Sequence, residues 1–411
     1  MPPIWGGYSR LAEGVPEKGR ERGAKVTERN VAVLYARRTP CGKIPGELSG
    51  TSDVEMLAQV FQNVAASAQG VPIHEAVAGS AFPVERDNLC RKAVLSATLS
   101  PEIPSATVSK TCASSDEALF HGIQAIQCGN ADTVLVGGVE KSSNSPHILG
   151  VMKQKVKNAM RGNLPLYESV AEEIQENDMA YLAEMLGRKY GFRRENLDEY
   201  AYQSLEKARH AQQSGRLQAE ILPVIHDEGA LSVDETVQND TVFGDVQHAE
   251  PLFLKDGLHT RYTAAPISDC AAAVLLMEER ASRRYGIRPM AVIRGYASVG
   301  VPRHTIGEAM GTCLRKLLGQ ASLSMADVDL YEINESFAAQ GLATIAALGI
   351  QPERVNVNGG NLALGYPVGA TGLRMDVTLL WEMSRRNARY GISVICAGGH
   401  MAQATLFEVY H

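Results

Sequence analysis

No CxxC pair, no HExxH motif and no run of the roughly 18 apolar residues needed to span a bilayer occurs in the 411 residues. The first absence matters because seven cysteines are present, scattered as Cys41, Cys90, Cys112, Cys128, Cys270, Cys313 and Cys396. An odd number at such spacing fits neither a disulfide framework nor a zinc knuckle, and points to a reducing compartment. The ten histidines form no metal-ligand pattern, so no metal is expected. The apolar stretch Ala271–Met277 is too short to cross a membrane, and no membrane partner is expected. Basic charge is lacking too: 40 Lys and Arg against 46 Asp and Glu leave a net charge of −6, which supplies no footprint for nucleic acid. No glycine fingerprint for a nicotinamide or flavin follows a strand, so no cofactor is expected. The first thirty residues lack an apolar core, and Glu13, Glu17 and Glu21 argue against a mitochondrial presequence. Arg10-Leu11 lacks the second half of a peroxisomal address, and the last three residues are not of the SKL type. A flexible extension over 1–30 and a cytoplasmic location are the expectation.

What is present is ordinary globular composition, 45% hydrophobic and 21% charged, with glycine in excess at 38 residues. From Val31 onward, short β-rich runs alternate with helical periodicity, the signature of α/β layers. Strands are expected at Val31–Tyr35, Glu75–Ala78, Thr107–Val108 and Thr133–Val136, the last closed by Gly137-Gly138, with helices over Ser52–Ala68 and Ser114–Cys128. The cadence then repeats. Strands are expected at Ala291–Tyr296, Leu330–Ile333, Val355–Val357 and Ile392–Cys396, and helices over Ile306–Leu318, Glu335–Leu348 and Gly369–Arg386. The two halves read as an internal duplication, 31–140 with 271–290 and then 291–411. Between them, 141–270 departs from the rhythm, with amphipathic helices over Glu172–Tyr190 and Arg194–Gly215 and a polar loop over Gly229–Glu250. It reads as an inserted domain able to cover a site where the halves meet.

Cys112 falls between an expected strand and an expected helix. There the helix dipole and unpaired N–H groups would lower its pKa and favour the thiolate; on position alone, a buried core cysteine is the alternative. Three further segments each follow an expected strand: Asn334-Glu335-Ser336-Phe337, Asn358 through Pro367, and Cys396-Ala397-Gly398-Gly399. In open α/β sheets such loops converge on one site.

Together with Arg38-Thr39-Pro40, Lys255-Asp256-Gly257 and Asp269 with its alanine run, these segments resemble the thiolase family from Val31 to the C-terminus. The resemblance implies a duplicated, layered α/β/α/β/α core and an acyltransferase active on coenzyme A thioesters, assembled as a homodimer or homotetramer. It implies that Cys112 takes an acyl group and that Cys396 deprotonates the α-carbon of the second substrate, for Claisen condensation or its thiolytic reverse. Backbone N–H groups at Cys112 and Gly398 would form one oxyanion hole, and Asn334 would hold a water in the other. The histidine of the family's Gly-His-Pro motif is replaced by Tyr366, whose hydroxyl can donate to an oxyanion but is a poor base at neutral pH. Ser115 and His400 stand where the family has glycine. Met179, Phe253 and Phe337, with Ala264 and Ala265 in the altered Tyr262–Pro266 stretch, would line the acyl–pantetheine tunnel. Two other readings remain at this level: an acyl-cysteine hydrolase or acyltransferase to oxygen or nitrogen, with His400 as base or as a mere loop residue, and a non-catalytic partner subunit.

Overall fold

The computed structural model describes residues 29–144, 179–226 and 229–410, apart from positions 69, 84 and 86 and the side chains of 304 and 306. The expected extension over 1–30 therefore lies almost wholly outside the described residues, as does the start of the helix expected over Glu172–Tyr190. Five strands come from the first half: β1 (Val31–Arg38), β2 (Glu75–Gly79), β3 (Ser105–Val108), β4 (Thr133–Lys141) and β7 (Asp269–Glu278). A small hairpin, β5 (Val224–His226) with β6 (Gly229–Leu231), interrupts the polar loop expected over Gly229–Glu250. The second half supplies β8 (Ala291–Gly300), β9 (Leu330–Ile333), β10 (Tyr390–Ala397) and β11 (Met401–Glu408).

The order β3-β2-β4-β7-β1 is repeated as Val355-β9-β10-β11-β8, with the same two parallel and two antiparallel neighbours in each half. The duplication expected from sequence is thus a topological identity. Short pairing of Val31–Val33 with Ala291–Ile293 joins the two units edge to edge. The strand expected at Val355–Val357 is reduced to one bridge, Val355 to Tyr331. Asn356 turns left-handed there (φ 44°), and its amide makes both bonds that a further strand residue would have made to Ile333, 2.8 and 2.9 Å.

Helices α1 (Asp53–Ala66) and α2 (Leu89–Ser96) cover the outer face of the first unit, and α3 (Ser114–Gln127) its inner face. The inserted segment contributes α4 (Met179–Lys189), α5 (Arg194–Gln213) and the short α6 (Phe243–Gln247). After α7 (Glu279–Arg284), helices α8 (Ala309–Ala321), α9 (Ala338–Leu348), α10 (Asn361–Leu364) and α11 (Thr371–Arg386) complete the second half. One core cluster joins α3 and α11 to Val31, Val134 and Leu276 of the first unit and to Leu330 and Phe407 of the second. With α8 against the far face of the second unit, the layers run α/β/α/β/α. β7 is buried on both faces along its whole length, which is why it reads as a continuous apolar run.

Gly137 and Gly138 do not close β4 but sit inside it. A Cβ on Gly137 would lie 2.6 Å from the Phe61 ring of α1, and one on Gly138 2.5 Å from Cβ of Ser115 in α3. Successive strand residues face opposite sides, so this pair lets helices approach the sheet from both faces. Ser115 also accepts a hydrogen bond from the Leu373 N–H at 3.1 Å, tying α3 to α11.

Candidate active site

Cys112 stands in a tight turn between β3 and α3. Thr111 before it is left-handed (φ 52°), and the Ser114 hydroxyl both accepts from the Lys110 N–H (2.9 Å) and donates to the Thr111 carbonyl (2.6 Å). Strain of this kind costs about 1–2 kcal/mol for a non-glycine residue. Here it is held by the turn's own bonds. The sulfur meets the Tyr366 hydroxyl, the Gly398 N–H and its own backbone N–H. The expected lowering of the Cys112 pKa is reversed: burial pushes the thiol up and outweighs those three donors, with the nearby Glu140 carboxylate adding to the rise. The helix begins at Ser114, past the cysteine, so the dipole argument gave way to desolvation.

Cys396 lies at the end of β10, one strand over from Asn334, which follows β9 and donates its N–H to Val394 O at 2.9 Å. Its thiol is buried and donates to Asn334 Oδ1 at 3.2 Å, while the Ser336 hydroxyl (3.8 Å) and Gln340 Nε2 (3.7 Å) also approach the sulfur. Burial, reinforced by the neighbouring Cys112, pushes Cys396 up to about 12.

The orientation of Asn334 follows from a chain of partners. Asn361 Oδ1 accepts the Glu335 N–H (3.2 Å) and its Nδ2 donates to Gly365 O (3.1 Å), so its oxygen must face Asn334. Asn334 Nδ2 therefore donates to Asn361 (3.1 Å), and its oxygen turns to Cys396 and to the Ser336 hydroxyl, 3.1 Å away. Glu335 in turn is held by Tyr200, Ser204 and Asn356 and by the Leu362 N–H. Ser336 and Asn361 fall within the motifs named from sequence, without a role there, and Gln340 lies three residues past the first of them. Tyr200, in the inserted segment, carried no signal at all.

Tyr366 is buried beside Cys112, Ala265, Leu362 and Val368. Residues 263–268 lie between its loop and the Asn334 loop. Ala265 N–H donates to Ser336 O (3.0 Å), Ala338 N–H to Thr263 O (2.9 Å), Tyr366 N–H to Pro266 O (2.8 Å) and Ser268 N–H to Tyr366 O (3.3 Å). This pairing holds residues 335–337 extended, so the helix expected from Glu335 starts only at Ala338. Met179, Phe253, Ala264 and Phe337 pack as one cluster, with the two phenylalanine rings edge-to-face at 5.7 Å. Ala265, the fifth residue expected in the tunnel, packs instead with Tyr366 and Cys112.

Gly399 (φ 79°) and His400 (φ 63°) form the tight turn from β10 to β11, and the His400 carbonyl accepts the Val301 N–H at 2.9 Å. A left-handed backbone is tolerated at a histidine but strained, whereas glycine adopts it freely. His400→Gly is expected to raise the denaturation midpoint, by about 1 kcal/mol of stability, with turnover preserved. Loss of turnover with intact folding would give the imidazole a chemical role.

Models of the thiolase N-terminal and C-terminal domains match residues 31–280 and 287–409. The acetyl-CoA acetyltransferase of Chromobacterium violaceum is 36% identical over 388 residues, covering 92% of this chain and 99% of that protein. A probable acetyl-CoA acetyltransferase of Escherichia coli is 35% identical with the same coverage. The crystal structure of the Bacillus anthracis acetyl-CoA acetyltransferase superposes with a TM-score of 0.86 at 32% identity, covering 93% of this chain and 99% of that one. Human mitochondrial 3-ketoacyl-CoA thiolase in complex with CoA gives 0.84 at 29% identity, over 93% and 98%. With two cysteines, an asparagine and a glycine turn gathered at the strand ends of a duplicated α/β fold, and with both domain models matched in order, this chain belongs to the thiolase family.

Proposed function

We propose that the protein is a thiolase-type acyltransferase acting on coenzyme A thioesters, with Cys112 as nucleophile and Cys396 as proton-transfer partner. The observation that carries this reading is the convergence of Cys112, Tyr366 and Gly398 on one sulfur and of Asn334, Ser336 and Gln340 on the other. In the first half-reaction the Cys112 thiol gives its proton to solvent and the thiolate attacks the thioester carbonyl carbon, a C–S bond forms, and charge moves to the oxygen. N–H groups of Cys112 and Gly398, which meet the sulfur at rest, would receive it. The C–S bond to coenzyme A then breaks, and the departing sulfur takes a proton from Cys396. A thiol whose pKa lies near 12 rests protonated, which suits it to give that proton. The Cys396 thiolate then removes an α-proton from acetyl-CoA. The carbanion attacks the acyl carbon, a C–C bond forms, and Cys112 leaves as thiolate. Covalent capture divides one difficult condensation into two steps.

The amide proton of Asn334 not given to Asn361 is available to a water or thioester oxygen. Met179, Phe253, Ala264, Ala265 and Phe337 supply the apolar wall for the acyl–pantetheine arm. The relatives' names favour neither hydrolysis nor a non-catalytic role. The assembly is read as a homodimer or homotetramer, which light scattering of the purified chain tests. Intact-mass measurement after incubation with acetyl-CoA and longer acyl-CoAs tests the chemistry: a single acyl adduct mapping to Cys112 is expected, and no adduct with any donor would sink the reading.

Tyr366 replaces a histidine base by a hydrogen-bond donor. Its hydroxyl lowers the Cys112 pKa, so Tyr366→Phe should move the pH profile of Cys112 alkylation upward and slow acylation about 10-fold, the worth of one hydrogen bond to a charged group. Tyr366→His should raise acetoacetyl-CoA thiolysis. An unchanged alkylation profile in the Phe variant would remove Tyr366 from the mechanism.

A further inference from the structure

Two cysteines that acyl transfer does not use lie side by side where β1 runs out against β7. Arg38 stands opposite Ala272, and the Thr39 N–H donates to Ala271 O at 2.8 Å. A little further on, Gly42 and Asp269 exchange both backbone hydrogen bonds, 2.9 and 3.0 Å. Between these points the first strand has one residue more than the second, so Pro40 and Cys41 together face Cys270. Pro40 has no N–H for the ladder, and the strand bulges there. The bulge brings the two thiols within hydrogen-bonding reach of each other. Both cysteines are free and fully buried. Neighbouring strands lie about 4.7–4.9 Å apart, on the scale of the roughly 4.4–6.8 Å between Cα atoms that a disulfide accepts.

Their surroundings distinguish the two sulfurs. The Thr39 hydroxyl donates to Cys270 at 3.5 Å, and the Arg38 guanidinium, bonded to Asp234 and Glu220, lies within electrostatic reach. Burial alone would push Cys270 up, but the Cys41 thiol, Arg38 and the Thr39 hydroxyl bring it below its ordinary value despite Asp234. Cys41 is pushed up by its hydrogen bond to Cys270, by burial and by Asp234. Cys270 is therefore the more acidic of the two thiols and Cys41 the resolving one. The exposed positions Lys43, Pro45 and Glu47 begin two residues beyond Cys41.

We propose that Cys41 and Cys270 form a reversible redox site, a dithiol that closes to a disulfide under peroxide independently of the acyl-transfer cysteines. The Cys270 thiolate attacks one peroxide oxygen: an S–O bond forms, the O–O bond breaks, and the hydroxide released takes up the proton that Cys270 gave up, leaving as water. The Cys41 sulfur then attacks the sulfenic sulfur and loses its proton. The S–S bond forms, the S–O bond breaks, and a second water leaves. The pair is oxidised by two electrons and the peroxide reduced by two. Cys270 is two residues from Ser268, which binds the Tyr366 carbonyl, so closure ties the backbone beside Tyr366 to β1. Disulfides in reducing compartments are transient or sensing rather than structural, and this pair has that character.

The test is a peptide map of the full-length chain. Reduced protein is treated with a small excess of hydrogen peroxide, blocked with iodoacetamide in denaturant, and digested with trypsin without reduction. The expected result is the loss of two free thiols per chain and the appearance of Thr39–Lys43 joined to Tyr262–Arg280, lighter by two hydrogens. The linked pair should vanish with dithiothreitol and persist in Cys112→Ala. Recovery of Cys41 and Cys270 as alkylated thiols under conditions that oxidise Cys112 would overturn the proposal, as would a link from Cys270 to any other cysteine.

Discussion

Cys112→Ala is expected to abolish acyl transfer, lowering turnover by about 10⁴-fold or more, while the variant folds as before. Alanine keeps the left-handed Thr111 turn and the Ser114 bonds, because neither uses the sulfur. What disappears is the atom proposed to take the acyl group. The companion variant Cys396→Ala separates the two half-reactions. It should still accept an acyl group on Cys112, slowly because the departing coenzyme A loses its proton donor, but form no carbon–carbon bond. A Cys396→Ala enzyme that turned over thioester at the normal rate would instead indicate hydrolysis, since no α-carbon need then be deprotonated. Single-turnover acylation by intact mass, beside a condensation assay, reads both effects.

Arg38→Met is expected to cost about 3–5 kcal/mol of folding stability, because it leaves two buried carboxylates without their cation. Arg38 is wholly buried. Its guanidinium bonds Asp234 in bidentate fashion at 2.7 and 2.9 Å, Glu220 at 2.7 Å and the Thr39 carbonyl at 3.1 Å. Glu220 also accepts the Thr378 hydroxyl of α11 at 2.8 Å, and Asp234 the Cys41 N–H at 2.7 Å. One side chain thus ties β1 to the inserted segment and to the second half of the fold. Such a loss is a large part of the roughly 5–15 kcal/mol that holds a typical domain together. Denaturant unfolding of the two proteins checks it, and a difference under about 1 kcal/mol, the level of an exposed ion pair, would mean that water replaces the arginine.

The elements read most directly from sequence are those whose signals are local. The helix starting at Ser52 carries its own capping box with Glu55 and a regular apolar face, and the structure begins α1 at Asp53. Two other elements left weaker traces. The eight-residue α2 is short for a periodic signal, and β11 follows a Gly-Gly-His turn that reads as the end of a strand rather than a hairpin. The strand expected at Val355 gave way to Asn356, whose side chain took over the backbone's bonds. Gly137-Gly138 resembled a strand end because glycine usually breaks strands. Its cause is the close approach of Phe61 and Ser115 from elsewhere in the chain.

The same division runs through the site. The sequence by itself determined the candidate reacting groups, the duplicated α/β cadence and the motif order, because residue chemistry and periodicity are properties of short segments. Tertiary structure alone decided how those groups are tuned. Burial reversed the expected shift of Cys112, since desolvation depends on everything packed around the sulfur. Asn361 set which end of the Asn334 amide meets Cys396. Pairing across β1 and β7 brought together Cys41 and Cys270, 229 positions apart in the chain, whose proximity no local pattern encodes.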